Sequence, residues 1–434
     1  MSAFFTAIFF VLLSLGIVRI VMVGREQRFV SRVLVIAWIC ALTLVEFANY
    51  WLPFTVGGDD VNYFYLASTT QIDSITEIFD ISRFRVMEQP GFPWVLSLLN
   101  ILVEPNEVVY KLLNLFFFVI LAITWYRIGI LLESPEFGRG VLIGILLLTP
   151  LWNYVFFLLK DMTITLLQSL FLLGTVQLWQ RNTRGSWLLI GLATLALLPF
   201  RAPLVLQNAA VLVLALLFKL FARERKGGRI VPLIFGSVML ASVLLIASNP
   251  IILESFGVKS AHRVVGSEEM IDNSQKIHSE STVNRVLFPL IYIFTEVTGL
   301  KPESWEVLDE FWLRGVLALP WILFVVPFFI VGVHWVLQAP PNILCGKGWV
   351  ARLRGSRLIN TPWGVLLMFM LSMMAISWQV GDTTRWRIPD MPVIATIAMA
   401  GWTFAKPGLR QLVFIFWGVG GVVLFSLYYA IKTN

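Results

Sequence analysis

Residues 108–132 read VVYKLLNLFFFVILAITWYRIGILL, and this stretch decides the fold class of the chain. As a helix it is about 38 Å long, which is more than the roughly 30 Å of hydrocarbon in a bilayer. Its only charged residues are Lys111 and Arg127. The length and the composition together predict a transmembrane helix.

The rest of the chain repeats this pattern. Of its 434 residues, 58% are hydrophobic and only 14% are charged, whereas a soluble domain carries about 25% charged residues. Apolar runs of roughly 18–25 residues suit helices, because barrel strands would be shorter and alternating. We therefore predict one all-α domain over residues 1–434, a polytopic transmembrane helical bundle of about 12 spans at 3–23, 33–56, 108–132, 140–158, 162–179, 187–200, 204–221, 230–248, 311–337, 364–380, 392–405 and 411–431.

The charges between these runs predict the orientation of the bundle. Basic residues crowd into short loops on one side, which the positive-inside rule identifies as cytoplasmic. They are Arg25, Arg28, Arg32, Arg139, Arg181, Arg184, Arg223, Arg225, Lys226, Arg229, Lys347, Arg352, Arg354, Arg357, Lys406 and Arg410. The other side holds two large extracytoplasmic loops, about 57–107 and 249–310, in which the short apolar segments 92–103 and 283–299 are expected to form interfacial helices. Because topology explains the net charge of +7, no nucleic-acid partner is expected.

The clearest functional pattern is GGDDVNYFYLA at residues 57–67, where the second span leaves the membrane. A helix can start at Asp59 or Asp60, and a spacing of four then places Asp59, Tyr63 and Ala67 on one face. A carboxylate held just above the bilayer suits a general base for an acceptor hydroxyl. The alternative is that one of the two aspartates only caps the helix.

Three further ionisable residues lie at the outward ends of apolar runs, at two places in the chain. Lys160 and Asp161 occupy a turn of a few residues between two strongly apolar segments, and ionisable residues in such a place are functional candidates. Arg201 stands between Pro199 and Pro203 at the end of another span. The alternatives are a snorkelling lysine with a nearby counter-ion, and helix capping or lipid head-group contact for the arginine.

Arginines also occur on the predicted outer side, where the positive-inside rule leads us to expect few basic residues. Arg385 and Arg387 lie in the outward turn 381–391, and Arg83 and Arg85 give a weaker signal in the first long loop. The planar guanidinium binds phosphate through two parallel hydrogen bonds. These arginines are therefore candidates for binding an anionic substrate, with lipid head-group contact as the alternative.

No cofactor is expected from the sequence. The three histidines, His262, His278 and His334, have no metal-ligand spacing. A divalent cation could bind Asp59 and Asp60, but two adjacent carboxylates are a small ligand set. There is also no glycine-rich phosphate loop that ends in lysine, so nothing indicates nucleotide hydrolysis.

The acidic pair that opens the first long loop, followed by many spans, resembles the GT-C superfamily of membrane glycosyltransferases. The stretch from Asp59 to Tyr63 is similar to their acidic motif with a following aromatic residue. The turn Lys160-Asp161, the proline-flanked Arg201 and the stretch 385–389 look like elements of bacterial members in polysaccharide assembly. Many GT-C enzymes carry the acidic loop after their first span, whereas here it follows the second.

This resemblance implies an enzyme of the bacterial plasma (inner) membrane with its active site facing the periplasm or exterior. Its partners would be a polyprenyl-phosphate-linked sugar donor, a glycan or lipid-linked acceptor, and membrane lipids. Asp59 would be the base and Asp60 would orient it or the acceptor. Lys160, Arg201, Arg385 and Arg387 would stabilise the phosphate charge as it develops.

Other functions fit the same sequence. A polysaccharide polymerase would join lipid-linked repeat units, as in O-antigen or exopolysaccharide assembly, by the same type of chemistry. A transporter or flippase for lipid-linked sugars belongs to a different class, and the absence of a clear inverted repeat argues against it. A non-catalytic assembly scaffold would leave the outward aspartates and arginines without a purpose.

Overall fold

The computed structural model describes residues 3–51, 59–70, 72, 77, 90–156, 158–223, 321–338, 356–380 and 388–433. Every regular element in these ranges is a helix. The prediction of an all-α chain is therefore confirmed for this part of the protein. The predicted span 230–248, the predicted interfacial helix 283–299 and the first part of span 311–337 lie outside these ranges.

The helices follow one another along the chain with short connections between most of them. They are α1 (Ala3–Val21), α2 (Gly24–Trp51), α3 (Asp59–Thr69), α4 (Gly91–Asn100), α5 (Glu107–Leu132), α6 (Pro135–Leu146), α7 (Thr149–Phe156), α8 (Asp161–Gln180), α9 (Arg184–Ala196), α10 (Leu198–Arg201), α11 (Pro203–Arg223), α12 (Val326–Leu337), α13 (Arg357–Asn360), α14 (Trp363–Val380), α15 (Met391–Phe404) and α16 (Pro407–Thr433). A π-helical turn, Trp321–Val325, leads into α12, and a 3₁₀ turn, Ile388–Asp390, leads into α15.

Four helices of the described part are long and apolar enough to cross a membrane. They are α1, α2 as far as Val45, α5 and α8, which contribute 19, 22, 26 and 20 residues. Shorter apolar segments occur in α11, α12 and α14. These helices support the prediction of a membrane protein, whereas the total of about 12 spans stays a prediction.

The core of the bundle lies around α5 and α8. In their apolar 18-residue stretches, 67% of the residues of α5 and 78% of those of α8 are buried, whereas the value is 28% for α1 and for α2. At the centre, the Trp125 indole N–H donates to Ser169 Oγ over 2.8 Å and joins the two helices. Outer helices leave large apolar side chains uncovered, such as Phe4 and Phe416, the latter 78% exposed. Such a surface suits contact with lipid, because a water-facing protein rarely exposes so much apolar area.

Two predicted spans are each divided into two helices. Span 140–158 consists of α6 and α7, and α7 begins at Thr149-Pro150, where proline removes a backbone donor and favours a helix start. Span 187–200 consists of α9 and the single turn α10, which contains Pro199 near its start. The basic residues Arg25, Arg28 and Arg32 were expected in a loop, but they lie on the first turns of α2.

The two ends of the bundle carry different polar groups. At one end, Arg139 Nε donates to Glu26 Oε2 over 3.2 Å, and the hydroxyl of Tyr126 donates to the same carboxylate. These contacts join α2, α5 and α6. The other end begins at Glu107, which precedes Tyr126 on α5 by about 29 Å of helix. The candidate functional residues that the structure describes lie at this second end.

Candidate functional site

Four of the predicted site residues come together where α8 begins. They lie on three separate parts of the chain and form what we call the ion-pair cluster, which consists of Tyr63, Lys160, Asp161 and Arg201. The side chains of Asp59 and Asp60 lie outside the described part of the structure. The same holds for all atoms of Arg83, Arg85, Arg385 and Arg387.

The strongest contact of the cluster is a buried salt bridge. Arg201 Nη2 lies 3.0 Å from Asp161 Oδ1, and the side chains are 5% and 1% exposed. Asp161 is the first residue of α8, where a carboxylate interacts favourably with the positive end of the helix. Arg201 ends α10, whose short turn starts after Leu197 and contains Pro199. The contact places the predicted outward ends of two spans against each other.

Lys160 belongs to the same buried layer. Its Nζ lies 5.6 Å from the centroid of the Tyr63 ring, within the range of a cation–π interaction. Tyr63 is itself buried and meets the ring of Phe92 edge-on, with the centroids 5.3 Å apart. Because Lys160 is only 8% exposed, it does not extend into solvent as a snorkelling lysine does.

Helix α3 begins at Asp59, where the sequence predicts a helix start. Tyr63 and Ala67 are both buried, so the face that the four-residue spacing defines is the face that packs on the protein. The first residue of α3 is thus one helical turn from Tyr63, which contacts Lys160. The backbone of the acidic pair therefore lies about one helical turn from the ion-pair cluster.

Helix α4 connects α3 to the turn that carries Arg201. It packs against α3 along one side and against α10 at its start. A Cβ atom on Gly91 would lie 2.9 Å from both the carbonyl carbon and the oxygen of Pro199. Only glycine permits this approach, so Gly91 fixes how closely α4 meets α10.

Asp390 is a buried carboxylate that the sequence reasoning did not single out. It ends the 3₁₀ turn that packs against α8, and its side chain is fully buried. The turn directly follows the segment that contains Arg385 and Arg387. The stretch Pro389-Asp390-Met391-Pro392 could have indicated this carboxylate, because an ionisable residue stands there between two prolines at a helix start.

A second polar layer lies farther along α8, inside the bundle. Gln168 Nε2 donates to Gln207 Oε1 over 3.3 Å, and Gln207 Nε2 donates to Ser372 Oγ over 2.8 Å. The three residues are buried and join α8, α11 and α14. The sequence reasoning missed them, although each interrupts an apolar run. Amide groups in the interior of such a bundle satisfy one another because no water competes.

The cluster combines the cations Lys160 and Arg201 with the carboxylate of Asp161, at the positive end of the 20-residue helix α8. Among the described residues, no group of three His, Cys, Asp or Glu side chains could hold a metal ion. No protein-family model, characterised protein or solved structure matches the chain.

Proposed function

We propose that the chain is a membrane glycosyltransferase of the GT-C type. It transfers a sugar or glycan from a polyprenyl-phosphate-linked donor to a glycan or lipid-linked acceptor on the extracytoplasmic face of the bacterial plasma membrane. The observation that carries the proposal is the ion-pair cluster, in which Lys160 and Arg201 lie at the end of the bundle where α3 begins at Asp59. This reaction needs a base that deprotonates the acceptor hydroxyl and cations that stabilise the phosphate of the donor.

In the proposed reaction, the acceptor hydroxyl oxygen attacks the anomeric carbon while the bond from that carbon to the phosphate oxygen breaks. The proton of the hydroxyl passes to the Asp59 carboxylate. The bonding electron pair leaves with polyprenyl phosphate, a stable anion that needs no proton from an acid. A single displacement of this kind inverts the configuration at the anomeric carbon.

The cations have a defined part in this scheme. As the bond breaks, negative charge grows on the phosphate, and a preorganised cation in a water-poor site stabilises that charge strongly. Lys160 is held against Tyr63, and Arg201 is held by Asp161, so neither has to reorganise when the charge appears. Arg385 and Arg387 are proposed to add the planar guanidinium groups that grip the phosphate.

The experiment replaces each aspartate of the acidic pair by its near-isostere. Because a general base contributes about 10²–10⁴-fold to rate, Asp59→Asn should nearly abolish transfer from a lipid-linked donor to acceptor in proteoliposomes. Asn still caps a helix, so yield and thermal stability should stay close to wild type. Asp60→Asn should have a smaller or comparable effect, and Asp73→Asn, the same change farther along the chain, serves as the matched control.

The result separates the proposal from its alternatives. If Asp59→Asn and Asp60→Asn both keep near wild-type transfer, the acidic pair is not the base and the transferase scheme is wrong. Flipping of a lipid-linked sugar by wild-type protein, without transfer, would establish the transporter class instead. When both donor and acceptor are lipid-linked repeat units, growth of the product by whole units identifies the polymerase variant.

A further inference from the structure

Helix α3 depends on its neighbours for its position. It has 11 residues, and an isolated helix of that length is only marginally stable in water. Its buried face consists of Tyr63 and Ala67, with Phe64 packed edge-on against Tyr110 at a centroid distance of 5.7 Å. These apolar contacts hold the helix against the bundle, but they are not directional and do not define its position along its own axis.

A hydrogen-bonded contact at the C-terminal end of α3 defines this position. Asn100 Nδ2 donates to the Ala67 carbonyl over 2.8 Å. Ser97 Oγ, which donates within α4 to the Pro93 carbonyl over 2.9 Å, lies 3.4 Å from the same Ala67 oxygen. The last carbonyls of a helix have no partner within the helix. Asn100, the last residue of α4, therefore ties the end of α3 to its neighbour.

Asn100 is itself oriented by the central helix of the bundle. The hydroxyl of Tyr110, a fully buried residue near the start of α5, donates to Asn100 Oδ1 over 2.7 Å. A reversed amide would set its oxygen against the Ala67 carbonyl oxygen, so only one orientation satisfies both neighbours. We call the chain of contacts from Tyr110 through Asn100 to Ala67 the amide clamp.

Because α3 is a continuous helix, a clamp that fixes the position of its C-terminal end also fixes the position of its first residue. Ala67 follows Asp59 by eight positions, which is about 12 Å of helix on the face that meets Lys160 through Tyr63. We propose that Asn100 is a positioning residue, which sets through α3 the distance between the acidic pair and the ion-pair cluster. This inference rests on the proposed transferase function.

The sharpest test is Asn100→Asp. At pH 8 an aspartate at this position would set a charged oxygen against the Ala67 carbonyl, and α3 would shift. Because a misplacement of about 1 Å can cost about 100-fold in rate, we expect kcat to fall at least about tenfold, with KM for the donor little changed. When protonated, the new carboxyl group can donate to Ala67 and accept from Tyr110. Partial burial beside the Ala67 carbonyl oxygen should raise the pKa of this carboxyl above its usual value of about 4, so the ratio of variant to wild-type kcat should begin to recover as the pH is lowered to about 5.

A second variant removes the other half of the clamp. Tyr110→Phe keeps the buried ring and deletes only the hydroxyl, so kcat should fall by about threefold, in line with the loss of one hydrogen bond. This variant also tests the inference if Asn100→Asp does not fold. Thr69→Val is the matched control, because the Thr69 hydroxyl donates only within α3, to Tyr65 over 2.8 Å and to Leu66 over 3.4 Å. It should leave kcat unchanged.

The outcomes separate this inference from the proposed function. Unchanged kcat in Asn100→Asp or, where that variant does not fold, in Tyr110→Phe would overturn the clamp while wild-type transfer still supported the enzyme. A fall in kcat that does not recover at lower pH, and that matches a loss of folded protein, would reduce Asn100 to a structural contact. If wild-type protein shows no transfer at all, the proposed function fails, and the positioning role fails with it.

Discussion

The salt bridge between Asp161 and Arg201 lies almost entirely inside the bundle, where an isolated charge is costly. Both side chains are almost fully buried, so each contributes to the charge compensation of the other. In the proposed transferase, a substrate phosphate that approached Arg201 would share it with Asp161. The pair would then act as a fixed dipole beside the phosphate.

Replacing one partner of this pair should damage the protein more than replacing both. Asp161→Asn removes the carboxylate that pairs with the buried Arg201, and we expect a loss of about 3–5 kcal/mol in the free energy of unfolding. The double variant Asp161→Asn/Arg201→Gln should lose clearly less, because both charges of the pair are then removed together. Thermal unfolding in detergent measures both effects.

The control for this comparison is Glu104→Gln, an exposed carboxylate before α5 that should change stability by less than about 0.5 kcal/mol. If the double variant loses as much as the two single variants together, the two side chains are not coupled. The salt bridge would then be an incidental contact between charged groups.

The sequence singled out the residues that the structure brings together in the cluster, but not how they pair. Lys160, Asp161 and Arg201 stood out because ionisable groups rarely interrupt apolar runs. Their contact depends on how two successive spans and the turn α10 pack together, which the pattern of single residues does not specify. The amide clamp was missed for a related reason, since an asparagine and a tyrosine near the ends of helices have many ordinary structural roles.

At the level of elements, α12 and α15 cross very closely among the described helices. A Cβ on Gly332 would overlap the carbonyl oxygen of Ile397, and one on Gly401 would overlap that of Phe328. Small residues at such crossings allow helix backbones to touch, which is a common source of packing energy in membrane bundles. Proline positions, in contrast, explain where the predicted spans 140–158 and 187–200 divide.

A methyl group at this crossing should force the two helices apart. We expect Gly332→Ala and Gly401→Ala each to destabilise the protein by about 1–3 kcal/mol, the usual cost of overpacking. Gly191→Ala in α9 is the control, because no atom lies within 4 Å of its added Cβ, and removing a helical glycine there should stabilise by up to about 1 kcal/mol. Equal thermal midpoints for all three variants would contradict the close crossing.

At the scale of the whole molecule, the proposal requires the ion-pair cluster to face outward. In a background that lacks Cys40 and Cys345, Asn62→Cys on α3 should react with an impermeant thiol reagent in intact cells. Asn182→Cys, at the far end of α8, should react only after the membrane is opened. Both positions are exposed, and α8 separates their ends of the bundle by about 30 Å.

Labelling of Asn182→Cys in intact cells, without labelling of Asn62→Cys, would reverse the orientation that the basic loops predict. The ion-pair cluster would then face the cytoplasm, where the proposed extracytoplasmic transfer does not take place. Labelling of both positions only after the membrane is opened would also be incompatible with an outward cluster.

The contact between Gly91 and Pro199 links the site to the order of biosynthesis. Gly91 leaves the ribosome long before Pro199, so α4 emerges when the turn against which it finally rests has not yet been made. Helices such as α1, α2, α5 and α8 are apolar enough to enter a bilayer one after another. The salt bridge between Asp161 and Arg201 can therefore form only after α10 has been synthesised, and a nascent chain that stops short of α10 would insert into the membrane without a complete ion-pair cluster.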